Sequence, residues 1–195
     1  MTSILVAGIG NVFLGDDGFG VEVVQRLHAR REVAWPPEVR VIDYGIRGID
    51  LYYALLDGVD LAILVDATHR DGPPGALYVI EPSAPSPEAG FERDVPPVLI
   101  SPHDLDPAKV LQAVEAMGGK VGRIVLIGCE PESLGTEDGQ EGRMGLSVPV
   151  AAAVNEAVEL IEEMIENMIS GVIENMQART IVASAAHRSQ DHGRA

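Results

Sequence analysis

The run Leu61–Asp66, LAILVD, is apolar at five consecutive positions and then stops at a carboxylate. A strand with one face in water alternates apolar and polar residues, whereas an unbroken apolar run suits a strand covered on both faces. Covering both faces of a sheet requires helices above and below, so this stretch points to an α/β architecture. The shorter apolar runs Ser3–Ala7, Glu38–Asp43, Leu77–Ile80 and Arg123–Gly128 read as further strands. Three- and four-residue apolar spacing predicts helices over Val21–Arg31, Ile49–Leu56 and Val148–Ile169, and another that starts after SPHDLD and ends at Gly118–Gly119. The expected fold is a three-layer α/β sandwich, a mostly parallel twisted sheet of about five strands with helices on both faces.

At 195 residues the chain suits one sizeable domain. We expect that domain over residues 1–170, with a C-terminal tail over 171–195 where the periodic pattern is lost. Five prolines between Glu81 and Pro97 predict a long loop. A formal charge of −16 would repel the phosphates of nucleic acid. No apolar run approaches the roughly 20 residues that span a bilayer. A single cysteine, Cys129, leaves no partner for an internal disulfide and excludes an all-cysteine metal site. These features fit a cytoplasmic protein acting apart from membranes, and a monomer is expected.

In sheets of this class ligands bind beyond the carboxyl ends of the strands, and three polar residues fall there. Asp17 lies in the glycine-rich turn GIGNVFLGDDGFG after the first strand, Asp66 ends LAILVD, and His103 sits in ISPHD before a helix. Two carboxylates and an imidazole suit a divalent transition metal with positions left open. Each also has a plainer reading. Asp17 and Asp66 can cap helices or accept turn N–H groups, and His103 can serve a helix entry. His69, in a Gly/Pro turn, is expected in solvent. The turn is a poor nucleotide cradle: Phe13 stands at the third glycine position of G-x-G-x-x-G, and Asp16 and Asp17 put negative charge where a pyrophosphate would lie. There is no G-x-S-x-G elbow, and Cys129 at the end of a buried strand reads as a core residue.

ILVAGIGNVFLGDDGFGVEVV, LVDA, ISPHDL and GCEPESL followed by GLSVPV, in this order, resemble the maturation endopeptidases of nickel–iron hydrogenases. The resemblance runs from about Ile4 to Ile169 and implies a phosphorylase/hydrolase-like α/β fold. It implies an endopeptidase that removes the C-terminal extension of a hydrogenase large-subunit precursor after nickel insertion. By motif position it makes Asp17, Asp66 and His103 the metal contacts, with nickel supplied by the precursor and no nucleotide. It further suggests that Asp16 or Asp17 handles the proton during cleavage. The turn DYGIRG departs from the Asp-Gly-Gly-Thr of several members, which points to a different hydrogenase class if this turn meets substrate. The alternative on the same fold is a non-catalytic metal- or peptide-binding assembly chaperone, separable by looking for a shortened large subunit.

Overall fold

The computed structural model describes residues 2–30, 35–81, 107–134, 144–171 and 180–181. The strands are β1 (Ile4–Ile9), β2 (Val39–Gly45), β3 (Val59–Ala67), β4 (Leu77–Ile80), β5 (Val121–Cys129) and β6 (Thr180–Ile181). The helices are α1 (Phe19–Arg30), α2 (Gly48–Leu56), α3 (Pro107–Ala116) and α4 (Val148–Ile169), with a single 3-10 turn at Gly15–Gly18 before α1. One sheet runs in the order β2-β1-β3-β5-β4-β6. The first four of these are parallel; β4 runs antiparallel to β5 and to β6. The three-layer α/β reading therefore holds, with β6 as an addition. Two residues in a stretch without apolar periodicity carry too little pattern to announce a strand. The expected loop over Glu81–Pro97, from residue 82 onward, falls outside the described residues.

The two sides of the sheet are sorted by the two-residue period of the strands. Ile4, Val6, Leu61, Ile63, Val65, Val125 and Ile127 pack with α1 and α4; Leu5, Ala7, Ala62, Leu64, Ile124 and Leu126 pack with α2 and α3. Having both faces covered is why LAILVD shows no alternation. The long helix α4 buries Val150, Ala153, Val154, Ala157, Val158, Ile161, Met164 and Ile165, a stripe at three- and four-residue spacing. Burying a side chain such as Leu64 stabilises the fold by about 1.5–3 kcal/mol, and Leu64→Ala would cost about 2–5 kcal/mol through the cavity left behind.

This wiring positions the functional edge. From β1 the chain moves to β2 on one side, then returns to β3 on the other. The carboxyl ends of β1 and β3 thus flank a reversal of direction, the place where open α/β sheets leave a crevice. Helix α1 is drawn close to that crevice by Gly20, where a Cβ would come within 2.0 Å of Val65 O. A side chain there would push the helix off the sheet.

Candidate functional site

The turn after β1 bends at Gly10, whose φ of 126° favours glycine and where a Cβ would overlap Asp17 O at 1.7 Å. The backbone therefore doubles back on itself and carries the adjacent Asp16 and Asp17 into the interior, at 1% and 2% exposure. Asp17 Oδ2 accepts the Asn11 N–H at 2.8 Å.

Asp16 is engaged differently. Its Oδ2 accepts the N–H groups of Glu132 at 2.8 Å and Ser133 at 3.1 Å, and its Oδ1 accepts that of Ser147 at 2.6 Å. Its own N–H donates to Ser133 O at 3.3 Å. Asp16 thus ties the glycine-rich turn to the chain after β5 and to the residue that precedes α4. Three backbone donors on one carboxylate fit a clamp better than a proton carrier.

Asp66 closes β3 at 1% exposure, its Oδ1 accepting the Ala67 N–H at 2.9 Å. Burial and then the nearby charge of Asp17 push its carboxyl well above the usual carboxylate value, against the smaller opposite effect of the Ala67 N–H. Two buried carboxylates near enough to feel each other's charge repel, and a cation between them would offset both the repulsion and the desolvation cost. The structure brings Asp17 and Asp66 together. His103 lies outside the described residues. Among those residues, no group of three His, Cys, Asp or Glu side chains could hold a metal, so the described chain contributes this pair.

One strand further along the same edge lies a cluster that reading the residues did not single out. Glu130 follows β5 directly and is 1% exposed. Its Oε2 accepts Tyr78 O–H at 2.7 Å and Arg70 N–H at 2.8 Å, and the Gly72 N–H also bonds the carboxylate. His69 Nδ1 lies 2.6 Å from Oε1. That contact is close enough for an ion pair, yet the ring sits off the hydrogen-bond line, so Oε1 has no aligned donor. Burial raises the Glu130 carboxyl, but Tyr78, the two backbone donors and His69 together outweigh it and hold the group below its usual value. The only hint in the sequence was a lone glutamate between a buried strand and a proline. Tyr78 is the other partner in this cluster, and burial and its bond to Glu130 push its hydroxyl up to about 12.

His69 is two-thirds exposed, as its Gly/Pro turn predicted, although its ring reaches back to a buried group. Cys129 sits in the core, where burial, Asp16 and Glu130 push its thiol up to about 12. A nucleophilic thiolate is disfavoured there.

The model of the family described as hydrogenase maturation protease matches residues 21–164. The chain is 30% identical over 161 residues to the hydrogenase 2 maturation protease of Escherichia coli K12, covering 81% of this chain and 87% of that one. It is 32% identical over 156 residues to the hydrogenase expression/formation protein HoxM of Cupriavidus necator, covering 80% and 70%. Among solved structures, the hydrogenase maturating endopeptidase HybD from E. coli superimposes with a TM-score of 0.64 at 29% identity over 95% of this chain and 100% of that one. The [NiFe] hydrogenase maturation protease HycI from Thermococcus kodakarensis gives 0.60 at 30% identity, covering 85% and 94%.

Proposed function

Because this chain belongs to the hydrogenase maturation proteases, we propose that it cuts the C-terminal extension from a nickel–iron hydrogenase large-subunit precursor once nickel is in place. The observation that carries the nickel part is Asp66: a buried carboxyl raised by burial and by Asp17 is what a site waiting for a cation looks like. In this reading the nickel is part of the substrate, and it docks against Asp17, Asp66 and His103. Docking places the scissile bond at the rim of the sheet, and a precursor without nickel lacks that anchor.

The chain's own residues then have distinct tasks. Asp17 and Asp66 meet the metal-loaded face of the precursor, with His103 completing the contact. Asp16 holds the turn that presents Asp17, through the N–H groups of Glu132, Ser133 and Ser147. Phe13 and Ile46, exposed in the turns that follow β1 and β2, and Ile49 at the start of α2 offer apolar surface for the extension on the same edge. The membership is in a family of proteases, which favours cleavage over a purely chaperoning role. No helix of the described residues is long and apolar enough to cross a membrane, and we place the reaction in the cytoplasm, carried out by a monomer. The test is extension removal from nickel-loaded precursor, read as the mass of the large subunit. Asp66→Ala and His103→Ala are expected to leave the precursor long, and wild-type rates in both would sink the assignment.

A further inference from the structure

The cluster around Glu130 is built around a carboxylate. Arg70 and Gly72 both turn their N–H groups onto it, and Asp71 between them takes a φ of 58°, the left-handed conformation that lets the loop curl. Tyr78 donates from the neighbouring strand. Three donors converge on one buried side chain, and beside them lies His69, whose Nδ1 is 2.6 Å from Glu130 Oε1.

Register puts this assembly beside the site. Asp66 pairs with Gly128, and Gly128 pairs with Tyr78, so the three lie in one row across the sheet. Residues in register point to the same face, and the missing side chain at Gly128 leaves a gap between Asp66 and Tyr78. The Thr68 side chain fills it, since a Cβ on Gly128 would come within 2.8 Å of Thr68 Cβ. The Cα atoms of Asp66 and Tyr78 are thus about 9–10 Å apart, two strand spacings, and His69 follows Thr68 on the loop between them.

We propose that His69 is a further catalytic residue, the proton carrier of the cleavage, and that Glu130 is the residue that positions it. This rests on the protease reading above. A carboxylate on one ring nitrogen fixes the tautomer and turns the other nitrogen toward substrate. Here the charge of Glu130 Oε1, 2.6 Å from Nδ1 though off the hydrogen-bond line, favours the proton on Nδ1 and leaves Nε2 to accept. As the water oxygen bonds to the scissile carbonyl carbon, Nε2 takes one water proton. As the C–N bond breaks, it hands that proton to the leaving nitrogen. Water and peptide give a carboxyl terminus and an amine, and His69 ends as it began. Among the described residues, the charged and titratable groups around the ring are Glu130 just after β5, Tyr78 behind it on β4, and Arg70 and Asp71 from its own loop. Asp71 Oδ1 lies 3.5 Å from Nε2 but is almost wholly exposed, so its hold on the ring is weak and substrate can displace it.

The experiment compares wild type, His69→Gln, Glu130→Gln and the double variant on nickel-loaded precursor, alongside ¹⁵N NMR of the His69 ring. His69→Gln is expected to lower kcat about 100-fold with KM held within about twofold. It is also expected to leave Tm unchanged. Glu130→Gln lowers kcat as well, and adding it to His69→Gln lowers kcat no further. The ring spectrum should show Nδ1 protonated in the neutral wild type, a preference lost in Glu130→Gln. A wild-type kcat for His69→Gln, or losses that multiply in the double variant, would overturn the assignment. If wild type itself leaves the precursor uncut, the protease reading fails and proton carriage with it; the ring spectrum still decides whether Glu130 sets the tautomer.

Discussion

Asp66 and Glu130 are two carboxylates at the same edge of one sheet, each 1% exposed, and they are pushed in opposite directions. Burial alone raises both. Glu130 then collects Tyr78 O–H, Arg70 N–H, Gly72 N–H and the His69 ring, and it ends below its usual value. Asp66 has the Ala67 N–H and, against that, the charge of Asp17. The difference teaches that depth does not decide ionisation; the number of donors aimed at the group does. A carboxylate surrounded by donors is a structural centre. One left beside a second carboxylate keeps its proton to higher pH, and in the function proposed above it meets the precursor's cation.

The largest effect that this contrast predicts is on activity. Asp66→Ala should lower kcat/KM on nickel-loaded precursor by about 1,000-fold, several kcal/mol of lost charge stabilisation. Glu130→Ala, acting through His69, should cost about 100-fold. Equal losses in a cleavage time course would erase the distinction between the two corners.

Stability should show the reverse order. Glu130→Ala strands the Tyr78 hydroxyl and two backbone donors, at about 2–3 kcal/mol in urea unfolding. In the metal-free protein Asp66→Asn removes an uncompensated buried charge and should raise stability by about 1 kcal/mol. A lower Tm for Asp66→Asn would mean that the pair is already satisfied within the fold.

The pH dependence follows the same signs. Asp66 has its folded value above its unfolded one. Between the two the folded chain keeps a proton that the unfolded chain has lost, so its contribution falls as pH rises from the ordinary carboxylate value through the raised one. Glu130 is lowered on folding: its contribution is complete above the ordinary glutamate value and is lost as pH falls through the lowered one. Urea midpoints measured across acid pH should therefore climb more steeply with pH in Asp66→Asn than in wild type, because the opposing Asp66 contribution is gone. The smallest effect belongs to Asp71→Asn, which keeps a residue type at home at positive φ and removes an exposed charge. It should shift stability by less than about 0.5 kcal/mol, and a larger change would show that the loop's charge takes part in ordering Glu130.

Much of this was legible in the chain, for physical reasons that differ from place to place. The boundaries of α4 were readable because its apolar stripe repeats over more than four turns, and the existence of β3 because two-sided burial forces an unbroken apolar run. The placement of Asp17 and Asp66 was readable because a strand's end is a local feature and the sheet's topology does the rest. The contacts of Asp16 were not, since its partners lie 116, 117 and 131 residues away. Glu130 escaped for the same reason: Tyr78 is 52 residues distant and Arg70 is 60. Donors that converge from such separations leave no spacing to recognise. What identifies such a group is its polarity at the end of a buried strand, and Glu130 shares that mark with Asp66, whose carboxyl is pushed in the opposite direction.

The most direct test of the central claim is the rate at which wild-type protein shortens nickel-loaded and nickel-free precursor side by side, followed by mass. The account predicts that the nickel-loaded large subunit is trimmed while the nickel-free one keeps its full length. Trimming of both at the same rate would show that the carboxylates of Asp17 and Asp66 are not waiting for a cation.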